Sequence, residues 1–206
     1  MLREKMMVFR GTNSSKKVVI FGGSGEGEIV SLNNFHVLEL RTMRWTSPTM
    51  RVHIPIPKDS DSAVTIGNKL VVYGGDCGDQ YHGDVDVFDR DNSIWSRLTV
   101  QGSLLGVGAS HAAVSIVIKV FIVGGTRDKH YYNNIWVLNV SAYCWVQLDI
   151  CGQYPQDRTG LQYLAMEHKR MEAGPIHNLL GVEVCGKVDG VFNLGCKTPN
   201  PSSSPD

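Results

Sequence analysis

The sequence predicts an all-β repeat architecture, an incomplete (open) β-propeller with about three blades. Three landmarks recur in fixed order: an apolar run closed by two glycines, an Asn- or Gly-rich turn leading into a second apolar run, and a tryptophan. Trp45, Trp95 and Trp145 are evenly spaced at 50 residues, and the glycine pairs at 52 and 50. A period near 50 residues marks an array of supersecondary units rather than one irregular domain.

The first unit, residues 6–50, reads Val18-Val19-Ile20-Phe21-Gly22-Gly23, then Asn33-Asn34-Phe35-His36-Val37-Leu38, then Trp45. The second, residues 58–100, has Leu70-Val71-Val72-Tyr73-Gly74-Gly75, Gly83-Asp84-Val85-Asp86-Val87-Phe88-Asp89 and Trp95. The third, residues 108–150, has Val120-Phe121-Ile122-Val123-Gly124-Gly125, Asn133-Asn134-Ile135-Trp136-Val137-Leu138 and Trp145. β-Branched and aromatic residues fill these runs, and short polar turns such as Gly67-Asn68-Lys69 separate them, which is strand and hairpin chemistry. A glycine pair at the end of a buried strand indicates a point where a side chain would strike neighbouring backbone. A tryptophan can bury its ring against its own or the adjacent blade, and its indole N–H is expected to reach a partner.

These landmarks resemble the kelch repeat, over roughly residues 6 to 155. The resemblance implies that each unit is one four-stranded blade, so the chain reads as an incomplete kelch-type β-propeller of about three four-stranded blades, within the galactose oxidase/kelch superfamily. Propellers close with roughly four to eight blades. Three therefore leave open blade edges, which present unpaired backbone groups and imply self-association.

A fourth unit would place its glycine pair near 174 and its tryptophan near 195, where Gly174-Pro175 and Gly195 stand instead. Residues 1–156 are accordingly assigned to the repeats and 157–206 to an irregular, partly helical tail. Leu161, Leu164, Ala165, His168 and Met171 share one helical face, Thr159 can cap the start and Gly174-Pro175 the end, which predicts a short helix over 160–172. Residues 176–194 carry little strand signal, and 197–206, rich in proline and serine, read as disordered. Met6-Met7-Val8-Phe9 aligns with the strand before the glycine pair, so the chain is expected to begin inside a blade, as a truncated isoform of a longer gene would.

The 206 residues carry 20 basic and 20 acidic side chains, with no basic run longer than Lys16-Lys17 or Lys169-Arg170. That balance argues against nucleic acid or anionic lipid as a partner. No apolar run reaches membrane-spanning length and no secretory leader is evident, so a soluble protein of the cytoplasm or nucleus is expected. The five cysteines, Cys77, Cys144, Cys151, Cys185 and Cys196, form no C-x-x-C pair and are expected to be free thiols.

Gly181 to Lys187 has phosphate-loop spacing, but Val188 stands where a hydroxyl is needed, and the glycines at 22, 23, 25 and 27 lack dinucleotide-loop spacing. His82 and His130 read as solvated loop histidines beside Asp79 and Asp128, and His111 as a residue tying its strand to a neighbour. The kelch resemblance extends to enzymes with copper-radical or iron chemistry, whose ligand sets are not matched here. No catalytic residue, metal or cofactor is assigned, and the reading is not an enzyme; a metalloprotein or enzyme using the Asp/His loops, or a truncated product without independent activity, is the alternative. What the resemblance implies instead is protein binding by loops just after each glycine pair and just before the preceding strand. Those positions are Ser24, Glu26, Asp76, Cys77, Thr126, Arg127 and Asp128, with Asp61 and His111 at strand starts. Their character changes from unit to unit while the scaffold residues do not, which is what a recognition surface needs.

Overall fold

The structure is a computed structural model that describes residues 3–10, 16–24, 31–78, 80–102, 108–148, 150–151 and 183–184. Three antiparallel sheets follow one another along the chain, and the described residues contain no helix. In the first, β1 (Arg3–Arg10), β2 (Lys16–Ser24), β3 (Phe35–Glu39) and β4 (Arg44–Thr46) lie side by side in chain order. A two-residue strand, β5 (Arg51–Val52), leads to the second blade. There β6 (Ser62–Ile66) and β7 (Lys69–Tyr73) are followed by a small hairpin of β8 (Asp76–Cys77) and β9 (Gln80–Tyr81). Next come β10 (Val85–Asp89) and β11 (Ile94–Leu98), and then the linker strand β12 (Gln101–Gly102). The third blade repeats the pattern with β13 (Ala112–Ile116), β14 (Lys119–Val123), β15 (Thr126–Arg127), β16 (His130–Tyr131), β17 (Ile135–Asn139) and β18 (Cys144–Gln147). Finally β19 (Ile150–Cys151) pairs antiparallel with β20 (Glu183–Val184), so part of the segment with little strand signal does form a strand.

Each blade is thus a four-stranded meander, as expected, with one addition. β5 pairs in parallel with β11 and β12 with β18, so the linker from each preceding unit adds a fifth strand to the outer edge of the second and third blades. That pairing satisfies backbone groups on an edge that would otherwise be bare. The tail boundary at 156, the helix over 160–172 and the disordered end at 197–206 fall outside the described residues.

The backbone repeats as faithfully as the sequence. Residues with positive φ recur at Met43, Ser93 and Tyr143, at Ser60 and Ser110, and at Gly67 and Val117. Asp89 and Asn139 occupy matching positions, each accepting two backbone N–H groups from the turn that follows it (Asp91 and Asn92; Ser141 and Ala142). The side chains thereby hold a tight turn that a plain hydrophobic could not.

The apolar core lies between blades rather than inside them, because a single sheet has no interior. Val19, Phe21 and Phe35 of the first blade meet Ala63, Leu70, Val72, Phe88 and Trp95 of the second. On its other face the second blade packs Val64, Val71, Tyr73, Val85 and Val87 against Val120, Ile122, Trp136, Leu138 and Trp145. Period-two alternation along each strand sends one set of residues to each neighbour. Trp95 and Trp145 each pack on the preceding blade: Trp95 lies 4.9 Å from Phe21 and 5.7 Å from Phe35, and Trp145 lies 5.1 Å from Tyr73, all between ring centroids.

Trp95 and Trp145 are 0% and 3% exposed, whereas Trp45, whose blade is the first in the chain, is 49% exposed. Two sequence expectations need correction. The buried Trp95 Nε1 has no hydrogen-bond partner among the described residues, since its ring is surrounded by Phe21, Phe35 and Phe88 rather than by acceptors. Cys144 is disulfide-bonded rather than a free thiol, while Cys77 is free; spacing along the chain carries no information on approach through space.

Candidate functional site

The glycine pairs build one end of the blades. Gly22 N–H donates to the Asn34 carbonyl, Gly74 to Asp84 and Gly124 to Asn134, which ties the end of each second strand to the start of the third. Gly23 N–H donates to the Lys58 carbonyl at 3.0 Å and Gly75 to the Gly108 carbonyl at 2.9 Å, each reaching into the next unit. A Cβ on Gly22 would stand 2.6 Å from the Lys58 carbonyl oxygen, and one on Gly75 2.6 Å from that of Asp59. Steric exclusion by neighbouring backbone therefore accounts for the pair.

Asp61 and His111 occupy matching positions and wedge into these glycines. A Cβ on Gly75 would meet the Asp61 side chain at 3.0 Å, and one on Gly125 would meet His111 Cδ2 at 2.5 Å. They are 2% and 6% exposed, so both lie beneath the loop surface rather than on it. Around them, Ser110 N–H donates to the Ser60 carbonyl and Ser62 Oγ to the His111 carbonyl, stitching the second blade to the third.

On this base stand two projecting hairpins. Asp128 and Lys129, with φ of 49° and 66°, form the two-residue turn between β15 and β16, and Gly78, with φ of 63°, serves the turn between β8 and β9. Arg127 and Asp128 are exposed, with Arg127 Nε 3.1 Å from Asp128 Oδ2, and Thr126 Oγ1 donates to the His130 carbonyl. Asp76 and Cys77 are half-buried at the base of the other hairpin. Asp76 and Asp59 exchange backbone hydrogen bonds at 2.9 Å both ways. Burial and then the charge of Asp59 push the Asp76 carboxyl up to about 6. Ser24 is buried and bridges to Ser31, and Glu26 lies outside the described residues.

Sequence reasoning missed a charged knot beside this surface. Lys58 Nζ donates to Asp86 Oδ2 at 2.9 Å, and both side chains are wholly buried. Arg97 Nε donates to Asp86 Oδ1 at 3.1 Å, His53 Nε2 lies 3.2 Å from the same oxygen, and Arg97 Nη2 reaches Asp84 Oδ2 at 3.1 Å. Burial alone would raise the Asp86 carboxyl, but Lys58 and Arg97 outweigh it and hold it below the usual carboxylate range. His82 is not the solvated residue expected: it is half-buried, its Nε2 is buried with no partner among the described residues, and burial followed by Lys58 depresses its pKa. The available signal was departure from the repeat, since Asp86 stands where His36 and Trp136 stand, and Lys58 where Gly108 stands.

Among the described residues no group of three or more His, Cys, Asp or Glu side chains is placed to hold a metal ion, and no helix is long and apolar enough to cross a membrane. The model of the KLHDC2/KLHL20/DRC7 Kelch-repeats domain matches residues 3–174. The chain is 33% identical over 170 residues to acyl-CoA-binding domain-containing protein 4 of Arabidopsis thaliana, covering 80% of the chain and 25% of that protein. It is 27% identical over 144 residues to human Kelch domain-containing protein 1, covering 68% of the chain and 35% of that relative. The chain thus spans about a quarter to a third of the length of these relatives.

Proposed function

The chain belongs to the kelch-repeat family, and on that footing we propose that it recognises a partner protein through the loops at the glycine-pair end of its blades. Kelch repeats are in general a non-catalytic protein-interaction domain. The observation that carries the finer reading is the contrast at that end between a constant backbone and variable loops. The Gly74 and Gly124 hydrogen bonds are both 3.2 Å, yet the hairpins above them present Asp76 and Cys77 in one blade and Thr126, Arg127 and Asp128 in the next. A fixed frame carrying changed side chains at matched positions suits recognition, because the ordering cost of the loops is met by the scaffold. Asp61 and His111 serve this surface from below by holding adjacent blades in register.

Arg127→Ala tests the reading. The side chain is exposed and, among the described residues, pairs locally with Asp128, so removal leaves the melting temperature unchanged while lowering capture of a cross-linkable partner from cell extract by about tenfold, as loss of an interface arginine does. Unchanged capture by Arg127→Ala and by Lys129→Ala, with both proteins folded, contradicts the proposal.

A further inference from the structure

The opposite end of the first two blades holds a cleft with its own chemistry. Register places Lys17 at the start of β2 and the Arg90–Ser93 turn after β10, at the far end of those strands from the glycine pairs. The cleft has a volume of about 110 Å³. Its floor is the interblade core itself, Val19, Val37 and Phe88, and Lys17 and Arg90 stand in its lining. Lys17 has no ion-pair partner among the described residues, although Glu39 is its cross-strand neighbour; that carboxylate accepts from Thr42 Oγ1. Arg90 has one long contact, 3.7 Å from Nε to Asp91 Oδ1, while Asp91 Oδ2 is taken at 2.8 Å by Asn68 Nδ2.

The same place between the second and third blades carries larger apolar residues, two of them packed on the core and the third, Tyr143, half exposed above it. Leu98 stands where Pro48 lines the cleft, Val140 where Arg90 does, and Tyr143 where Ser93 does. Leu98 and Val140 pack onto the core between those blades. Repetition of the scaffold would put the same apolar plug between the first and second blades, and the chain instead has a shortened ring, a cation and a small hydroxyl. An unfilled apolar cleft forfeits contacts, and two partly exposed cations with no close carboxylate among the described residues stand beside it, so an occupant that supplies both apolar contact and negative charge gains from each.

We propose that this cleft binds a small organic anion, its charged head held by Lys17 and Arg90 and its compact apolar body seated on Val19, Val37 and Phe88. An apolar cavity of roughly 150 Å³ encloses a whole benzene; the open cleft, at about 110 Å³, seats part of such a ring and leaves its carboxylate at the mouth. The site is at the other end of the blades from the loop surface and does not depend on the partner reading.

Amide-resolved NMR titration of the full chain with benzoate, and with benzamide as its uncharged counterpart, tests it. Benzoate gives saturable shifts at Val37, Thr46, Phe88 and Ser93, and binds about tenfold more tightly than benzamide, the difference two partly exposed ion pairs supply. Lys17→Gln and Arg90→Gln each weaken benzoate by about threefold to fivefold. The triple variant Pro48→Leu, Arg90→Val, Ser93→Tyr, which copies the filled cleft, stays folded and loses the shifts. Equal binding of benzoate and benzamide, absence of saturable shifts with benzoate, or undiminished shifts in the folded triple variant each overturns the proposal.

Discussion

Gly75 and Val117 show how differently one backbone conformation is tolerated. Gly75 has φ of 93° with the Asp59 carbonyl 2.6 Å from where a Cβ would be, so Gly75→Ala combines left-handed strain with a backbone clash and costs more than the about 1–2 kcal/mol of the strain alone. Val117 holds φ of 56° where the second blade has Gly67, and its side chain is exposed. Val117→Gly relieves strain of about 1–2 kcal/mol against a glycine entropy cost of about 0.5–1 kcal/mol, so a modest gain in urea stability is expected. Asp76 supplies the pH dependence. Its folded pKa of about 6 lies above the ordinary 3.8, so between those values the folded state binds more protons than the unfolded one. Stability therefore falls as pH rises through that window. Asp76→Asn removes the penalty, raising the melting temperature at pH 7.5 and leaving it nearly unchanged at pH 3.5; equal shifts at both pH values would refute the assignment. The glycines were legible in the sequence because no other residue meets their backbone requirement. Asp76 was legible as a loop residue but its shifted carboxyl was not, since Asp59 is brought to it by a backbone pairing across two turns.

At the scale of elements, the tryptophans report which blade faces are covered. Trp95 sits among Phe21, Phe35 and Phe88, so Trp95→Ala opens a cavity between two sheets and costs about 3–5 kcal/mol. Among the described residues the one ring contact of Trp45 is an edge contact with His36, and Trp45→Ala costs about 1 kcal/mol or less. Chemical denaturation of the two variants decides between this account and one in which all three tryptophans are equivalent, as their identical spacing suggests. Spacing fixes the position of a ring within its own blade, whereas burial depends on the preceding blade, so sequence periodicity could not rank them. The buried knot of Lys58, Asp86, Arg97 and His53 escaped for the related reason that a linker, a third strand and a fourth strand each contribute. Breaking a buried pair leaves an uncompensated charge, so this knot fixes the path of the linker over the first blade boundary more than it adds net stability.

For the molecule as a whole, the two proposed sites lie at opposite ends of the blades. Hydrogen bonds of the glycine pairs and the wedges Asp61 and His111 hold the loop end in a repeated frame, while the opposite end departs from repetition where Arg90 and Ser93 replace the plug of the next interface. Number, order and period of the blades were readable from sequence, because each landmark answers a demand of the interblade packing. The linker strands β5 and β12 were not, since two-residue pairings leave no periodicity to detect. Amide hydrogen exchange on the full chain, resolved by peptide, tests the repeated-blade account most directly. The account predicts slow exchange in 69–73 and 85–89, again in 119–123 and 135–139, and fast exchange in the hairpins at 76–81 and 126–131 that separate them. Uniform exchange across these segments, with no recurrence at the 50-residue period of the tryptophans, would contradict it.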